Sequence, residues 1–285
     1  MDIKKVGVVG CGLMGSGIAQ VCAQSGYETV VREISPELLQ KGLGKIEKQL
    51  AGAVQKGRLS EETRSATLSR LRGTTELSDL AGCDLVIEAI IENPEEKKAL
   101  FSELDRICPP STIFASNTSS IPIIQLAAAT NRPDRFIGLH FFNPVPVMQL
   151  VEIVKSISSS DEVVEIARRF SASLGKQAIV AKDRAGFVVN LLLVPYLLDA
   201  VRALEIGVAS KEDIDTGMKL GCNHPMGPLA LLDFVGLDTT YYIAEIMYNE
   251  FKDPRYAPPT LLKQMVIAGH HGRKTGKGFY DYPQS

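Results

Sequence analysis

The segment Gly10-Cys11-Gly12-Leu13-Met14-Gly15 constrains this chain more than any other. It follows the apolar run KVGVVG at 5–10, which reads as a buried strand, and it opens onto Ile18, Val21 and Cys22 at helical spacing. Gly10 permits a tight turn, Gly12 lets backbone approach a ligand, and Gly15 lets helix and strand pack closely. The N-terminus of the helix presents free N–H groups and the positive end of a dipole, a seat for phosphate. Glycine-rich turns are common; the position between a strand and a helix is what points to the pyrophosphate of a dinucleotide.

The same alternation continues. Strand-like runs at 28–33 (ETVVRE), 84–89, 112–115, 135–140 and 150–154 are separated by helical patterns such as 94–107. Strands alternating with helices imply parallel pairing, hence an α/β Rossmann-like doubly wound sheet. One connection is long: 36–56 and 61–71 read as helices broken at Gly57, with Ser60, Glu61 and Glu62 as an N-cap and acidic first turn. This helical arm, about 36–72, either decorates the sheet or reaches a long substrate. No strand is expected after Ala181, and 187–204, 211–220, 228–232, 237–251 and 259–269 all read as helical. Two domains follow: 1–185, nucleotide-binding, and 186–285, all-helical, suited to closing a substrate cleft and to dimerisation.

Charge excludes some functions. The 285 residues carry 31 Lys+Arg and 33 Asp+Glu, net −2, with no long basic block, which argues against nucleic acid as a partner. Five dispersed cysteines without a C-x-x-C pair fit free thiols in a reducing compartment. The apolar stretch 188–198 is interrupted by Asn190 and Pro195 and is shorter than the roughly 18 residues of a membrane span. With no signal or transit pattern and no peroxisomal ending in DYPQS, a cytoplasmic protein is expected.

Several residues carry chemistry. Glu33 ends the second strand, where a carboxylate accepts hydrogen bonds from an adenosine ribose and repels a 2′-phosphate, so NAD is favoured over NADP. Arg32 beside it would favour NADP if it turned toward the ribose. His140 ends a predicted strand, the edge at which open α/β sheets place ligands, and Glu152 lies in the next strand-like run. A histidine with a carboxylate suits proton removal from an alcohol during hydride transfer; a core histidine satisfied by backbone fits the same spacing. Ser116-Asn117-Thr118-Ser119-Ser120 follows another strand, where turn and cap chemistry accounts for one or two members and a ligand would account for the others. Asn190, on an apolar helix, needs either an interdomain partner or a ligand. No group has metal-ligand spacing.

Together GCGLMGSGIAQ, DLVIEA, SNTSS, HFFNPVPVMQLVE, GFVVN, ASKEDIDTGMKLG, HPMGPL and GRKTGKGFYDY resemble the 3-hydroxyacyl-CoA dehydrogenase family over essentially the whole chain, and its bacterial 3-hydroxybutyryl-CoA members in particular. The resemblance implies His140 as the catalytic base, Glu152 as its partner, and Ser119 and Asn190 as holders of the reacting oxygen and acyl group, with Asn143 close by. It implies cofactor contacts from Gly10, Gly12, Leu13, Met14, Gly15, Glu33, Glu92, Lys97, Asn117 and Asn143. It further implies a coenzyme A substrate approached by the helical arm, with Lys56 on its phosphates, and a homodimer formed through the helical domain. Gly52 stands where some relatives carry lysine. Two rivals remain at this level: a dehydrogenase of free hydroxy acids on the same fold, and a non-catalytic NAD-binding protein.

Overall fold

The computed structural model describes residues 2–283. The chain divides into two compact units, Met1–Arg184 and Ala185–Ser285.

In the first unit β1 (Lys5–Val9), α1 (Leu13–Gln24) and β2 (Glu28–Arg32) form the opening βαβ. Then come α2 (Pro36–Gln55), α3 (Glu61–Ser69) and β3 (Leu71–Thr74), followed by β4 (Leu85–Glu88), α4 (Pro94–Ile107), β5 (Ile113–Ser116) and α5 (Ile123–Ala127). The unit closes with β6 (Phe136–Phe141), β7 (Leu150–Lys155), α6 (Asp161–Ser173) and β8 (Gln177–Lys182). The helix starts follow local chemistry. Ser35, Ser60 and Ser160 each accept a hydrogen bond from the N–H three residues on, and Asn93 accepts from Glu95 and Glu96. Pro36 and Pro94 occupy first-turn positions that need no N–H.

The eight strands lie in the order β3-β2-β1-β4-β5-β6-β7-β8. Neighbours pair parallel except β6 and β7, which run antiparallel. The alternation of strands and helices implies parallel pairing, and no helix intervenes between β6 and β7. The reversal comes from the short connection at 142–149, which is a return loop, whereas a parallel crossover needs about a dozen residues or more. The central strands are buried on both faces: Val8, Ile87 and Ile137 on one and Val9, Val86 and Phe114 on the other are all at zero exposure. Each such side chain contributes about 1.5–3 kcal/mol relative to exposure.

The arm differs from expectation at its end. The helix expected over 61–71 stops at Ser69, and Leu71 begins β3, which pairs with β2 from Thr29 to Arg32. Leu68 and Leu71 have helical spacing, but edge pairing to β2 captures the second of them.

The second unit holds α7 (Val189–Glu205), α8 (Lys211–Gly221), α9 (Pro228–Val235), α10 (Leu237–Phe251) and α11 (Thr260–Ile267) around Leu198, Leu229, Leu232, Leu237, Ala244 and Met247. Two buried aspartates organise it. Asp215 accepts from the N–H groups of Leu229 and Ala230 and from the Tyr280 hydroxyl. Asp233 accepts from the N–H groups of Phe279 and Tyr280 and from the Tyr282 hydroxyl. A side chain at Gly227 or Gly278 would stand 2.3 or 2.0 Å from these aspartates. The segments HPMGPL and GKGFYDY are thereby explained by packing within this unit.

Candidate active site

The parallel strands β1, β4, β5 and β6 all end at one edge of the sheet, and β7 starts there. This edge collects the glycine loop, residues 89–92, residues 117–120 and the start of the 142–149 loop.

Each glycine of the loop has its own reason. Gly10 has φ +93 and its missing Cβ would lie 2.7 Å from the Ala89 carbonyl oxygen. A Cβ on Gly15 would lie 1.8 Å from the Gly10 oxygen. At Gly12 nothing lies within 4 Å, so the backbone is open on that side. The first turn of α1 has no side-chain cap and no acidic residue. These free N–H groups suit an anionic pyrophosphate. Leu13 is exposed and Met14 half-buried beside them. Glu33 accepts from Cys11 N–H at 2.7 Å and from Ile34 N–H at 2.7 Å, which fixes its carboxylate over the loop. Arg32 donates from Nε to the Thr75 carbonyl at 3.2 Å and so is engaged on the β3 side. The donor set fits a dinucleotide: free N–H groups for the phosphates and a carboxylate for ribose hydroxyls.

The cluster at 116–120 separates into supports and one free group. Ser116 donates to Glu88 at 2.7 Å. Asn117 accepts from Phe141 N–H at 2.9 Å, tying the end of β5 to the end of β6. Thr118 donates to Glu92 and accepts from Ser120 N–H and Ile121 N–H. Ser120 donates to Glu92 at 2.9 Å. Ser119 gives its N–H to Glu92 at 3.1 Å, and its hydroxyl has no partner among the described residues.

Lys97 lies 1% exposed between two carboxylates, Glu88 and Glu92. Its ammonium is therefore covered, and Glu92, whose side chain is 32% exposed, is the member that faces outward. Burial pushes the Glu88 carboxyl up against the opposing pull of Lys97 and Ser116. At Glu92 burial also raises, but Lys97 and the hydroxyls of Thr118 and Ser120 outweigh it and hold the carboxyl below the usual range. Glu88 escaped the sequence reading: its partner sits nine residues away across a turn, and only the DLVIEA motif marked it.

His140 and Glu152 are direct partners across the β6–β7 pair. His140 Nδ1 lies 2.7 Å from Glu152 Oε2, with Glu152 fully buried and His140 7% exposed. An ionised carboxylate only accepts, so in the neutral form of the ring Nδ1–H is the donor and Nε2 is the nitrogen that bears the lone pair. The loop between them is pinned by Lys176, which is 8% exposed and donates to the carbonyls of Val145 and Met148 at 2.8 and 2.7 Å. Burial pulls the Lys176 ammonium down from its ordinary value. Val145 also packs on α1, where a Cβ at Gly17 would come within 2.9 Å of it. Asn143 is exposed on this loop. Sequence reading missed Lys176, which follows α6 in the chain and is 31 and 28 residues from the two carbonyls it holds.

Two of the expected residues come from the ends of helices α2 and α7. Lys56 is exposed at the C-cap of α2 and, with Lys45, Lys48 and Arg58, lines a cavity of about 490 Å³. Gly52 lines it too, with open space where a side chain would project. Asn190 is in the first turn of α7 in the second unit, half-buried, and its amide has no partner among the described residues. The described residues contain no grouping that could hold a metal ion, and none of their helices is long and apolar enough to cross a membrane.

A glycine loop and a carboxylate-held histidine at the same sheet edge define a Rossmann-type dehydrogenase site. Comparison with known proteins gives the family. Residues 5–184 match the model of the 3-hydroxyacyl-CoA dehydrogenase NAD binding domain, and residues 186–282 that of the same family's C-terminal domain. The chain belongs to the 3-hydroxyacyl-CoA dehydrogenase family. It is 50% identical over 282 residues to a 3-hydroxybutyryl-CoA dehydrogenase of Mycobacterium tuberculosis, covering 98% of this chain and 99% of that protein. It is 46% identical to the human mitochondrial hydroxyacyl-coenzyme A dehydrogenase, covering 98% and 91%. The solved (S)-3-hydroxybutyryl-CoA dehydrogenase of Ralstonia eutropha superposes with TM-score 0.96 at 48% identity, covering 99% and 100%.

Proposed function

We propose that this chain interconverts a short-chain (3S)-3-hydroxyacyl-CoA, with 3-hydroxybutyryl-CoA as the reference substrate, and the corresponding 3-ketoacyl-CoA, using NAD. The observation that carries the reading is the His140–Glu152 bond at the sheet edge that also bears the glycine loop. When bound, NAD supplies a nicotinamide that takes hydride from C3 of the substrate. His140 Nε2 removes the 3-hydroxyl proton, and Glu152 orients the ring and stabilises its charged form. In the reverse direction the charged His140 returns that proton to the developing alkoxide. The unpartnered Ser119 hydroxyl is suited to hydrogen-bond the reacting oxygen. Asn190 joins it in this role on the strength of the family resemblance. Gly10, Gly12, Leu13, Met14 and Gly15 take the pyrophosphate, Glu33 the adenosine ribose, and Glu92, Asn117 and Asn143 the nicotinamide side, with Lys97 acting through Glu92. Lys56 and its basic neighbours serve the phosphates of coenzyme A.

The reading includes a homodimer formed through the second unit, where Leu220, Ile206 and Ile267 are 76–80% exposed, and a reducing compartment such as the cytoplasm, since all five cysteines are free. The test is the initial rate of reduced-nicotinamide loss with acetoacetyl-CoA, with NADH and NADPH side by side and free acetoacetate as a control. Fast loss with NADH and the CoA ester supports the reading. Comparable rates on free acetoacetate would move the substrate to the free-acid class, and binding of NADH without turnover would make the chain a non-catalytic NAD-binding protein.

A further inference from the structure

The cavity beside the glycine loop has an asymmetry that the NAD reading does not use. About 240 Å³ in volume, it is lined by Cys11, Gly12, Leu13 and Glu33 on one side and by Leu38, Lys41, Gly42 and Lys45 of α2 on the other. Glu33 is anchored by two backbone N–H groups, so its position is fixed. Lys41 and Lys45 are one helical turn apart on a single face of α2, and neither has an ion-pair partner among the described residues. Gly42 brings this face close: a Cβ there would lie 2.2 Å from the Cys11 sulfur and 2.4 Å from its carbonyl oxygen. The chain Glu33–Cys11–Gly42 thus sets the acid and the two ammonium groups around one small space. The Cys11 thiol registers both signs. Burial raises it most, to about 11; Glu33 adds to the rise and Lys45 opposes it.

A dinucleotide held by this loop would bring its adenosine ribose to Glu33. A 2′-phosphomonoester on that ribose would meet one carboxylate and two unpaired ammonium groups. Lysine binds phosphate as a point charge and needs no planar geometry. We infer that Lys41 and Lys45 form a latent 2′-phosphate subsite, that Glu33 alone closes it, and that this chain's preference for NAD over NADP therefore rests on a single carboxylate. Arg32 has no part in it, being turned to the Thr75 carbonyl. The inference rests on the NAD reading of the glycine loop but not on the identity of the acyl substrate.

The test compares wild type, Glu33→Gln and Glu33→Gln/Lys41→Met/Lys45→Met. Glutamine keeps an acceptor for Cys11 N–H, so the loop retains its support. The readouts are binding of NADH and NADPH by nucleotide fluorescence, displacement by 2′,5′-ADP against 5′-ADP, and the NADPH/NADH ratio of kcat/KM with acetoacetyl-CoA. Lys45 also lines the basic cavity near Lys56, and the ratio cancels any effect on the CoA ester. The expected result is a rise of at least about tenfold in the NADPH/NADH ratio for Glu33→Gln, the scale of one or two partly screened phosphate–lysine pairs. The triple variant should lose most of that gain, and 2′,5′-ADP should displace NADH from the single variant at lower concentration than 5′-ADP. A Glu33→Gln protein that binds NADH but shows no shift toward NADPH overturns the inference. So does a triple variant that keeps the whole gain. A wild type that binds NADH yet does not turn over acetoacetyl-CoA defeats the proposed substrate, and the nucleotide titrations still decide the latent subsite.

Discussion

His140 and Glu152 face each other across the one antiparallel pair in the sheet, in register, with Nδ1 and Oε2 2.7 Å apart. Two residues on adjacent strands are held by the ladder itself, so their alignment does not depend on a mobile loop. His140→Gln keeps an amide of similar size on the same strand. Turnover should fall by roughly 10² or more, the scale of a lost general acid–base, with NADH affinity near wild type. Turnover within a few-fold of wild type would remove His140 from that role.

Glu152→Gln should also lose most activity while keeping the fold, because the amide oxygen can still accept from Nδ1–H but carries no charge to stabilise the protonated ring. Circular dichroism and melting temperature separate the outcomes. An unfolded variant would make Glu152 a structural carboxylate instead.

Lys176→Met removes the donor that holds the Val145 and Met148 carbonyls. It should cost about 1–3 kcal/mol of stability, the scale of an unsatisfied buried polar group, and lower kcat more than NADH affinity. Denaturant melts and steady-state kinetics check this. A variant as stable as wild type with unchanged kcat would show that the 142–149 loop holds its shape without the lysine.

Much of this arrangement is legible in the sequence, and the parts that are not share a cause. The glycine loop, Glu33 and the strand positions of His140 and Glu152 can be read because each depends on neighbours within a few residues or on strand periodicity. Strand β3 could not: LRGT has two exposed residues and little β-propensity, and only pairing with β2 makes it a strand. Glu88 and Lys176 were invisible as supports for the same reason. A buried charge reveals itself through its partners, and theirs are set by tertiary contact, nine residues away for Lys97 and about thirty for the carbonyls under Lys176. Of the polar cluster at 116–120, the sequence could not say which hydroxyl would be left over.

Glu92→Gln tests the anchor of that cluster through pH. The folded carboxyl lies below the ordinary value of 4.5. A depressed carboxylate contributes stability that is full above its unfolded pKa and is lost as pH falls through the folded one. The melting temperature of wild type should exceed that of Glu92→Gln near neutral pH, and the gap should close as pH drops below about 4.5. A gap that is constant or widens in acid would show that Glu92 does not anchor the loop as an ion.

Gly42→Ala places a methyl against Cys11 in a contact with no room. It should cost about 1–3 kcal/mol through overpacking and weaken NADH binding, since α2 must move off the glycine loop. Unchanged nucleotide affinity in a folded variant would show that the loop tolerates that movement.

The burial of four thiols in one half of the chain has a practical consequence. Cys11, Cys22, Cys83 and Cys108 are enclosed in the first unit, and Cys222, in the second, is exposed. Burial raises the first four well above the ordinary thiol range, to about 11 for Cys11 and Cys108 and about 12 for Cys83. An alkylating reagent added to the native protein should therefore take up at Cys222 at once and at the others only when their surroundings open. Counting modified thiols over time would clock the opening of the nucleotide-binding half on its own, with a native chain as its own probe. Cys11, under Glu33, would register whether a bound dinucleotide slows that clock.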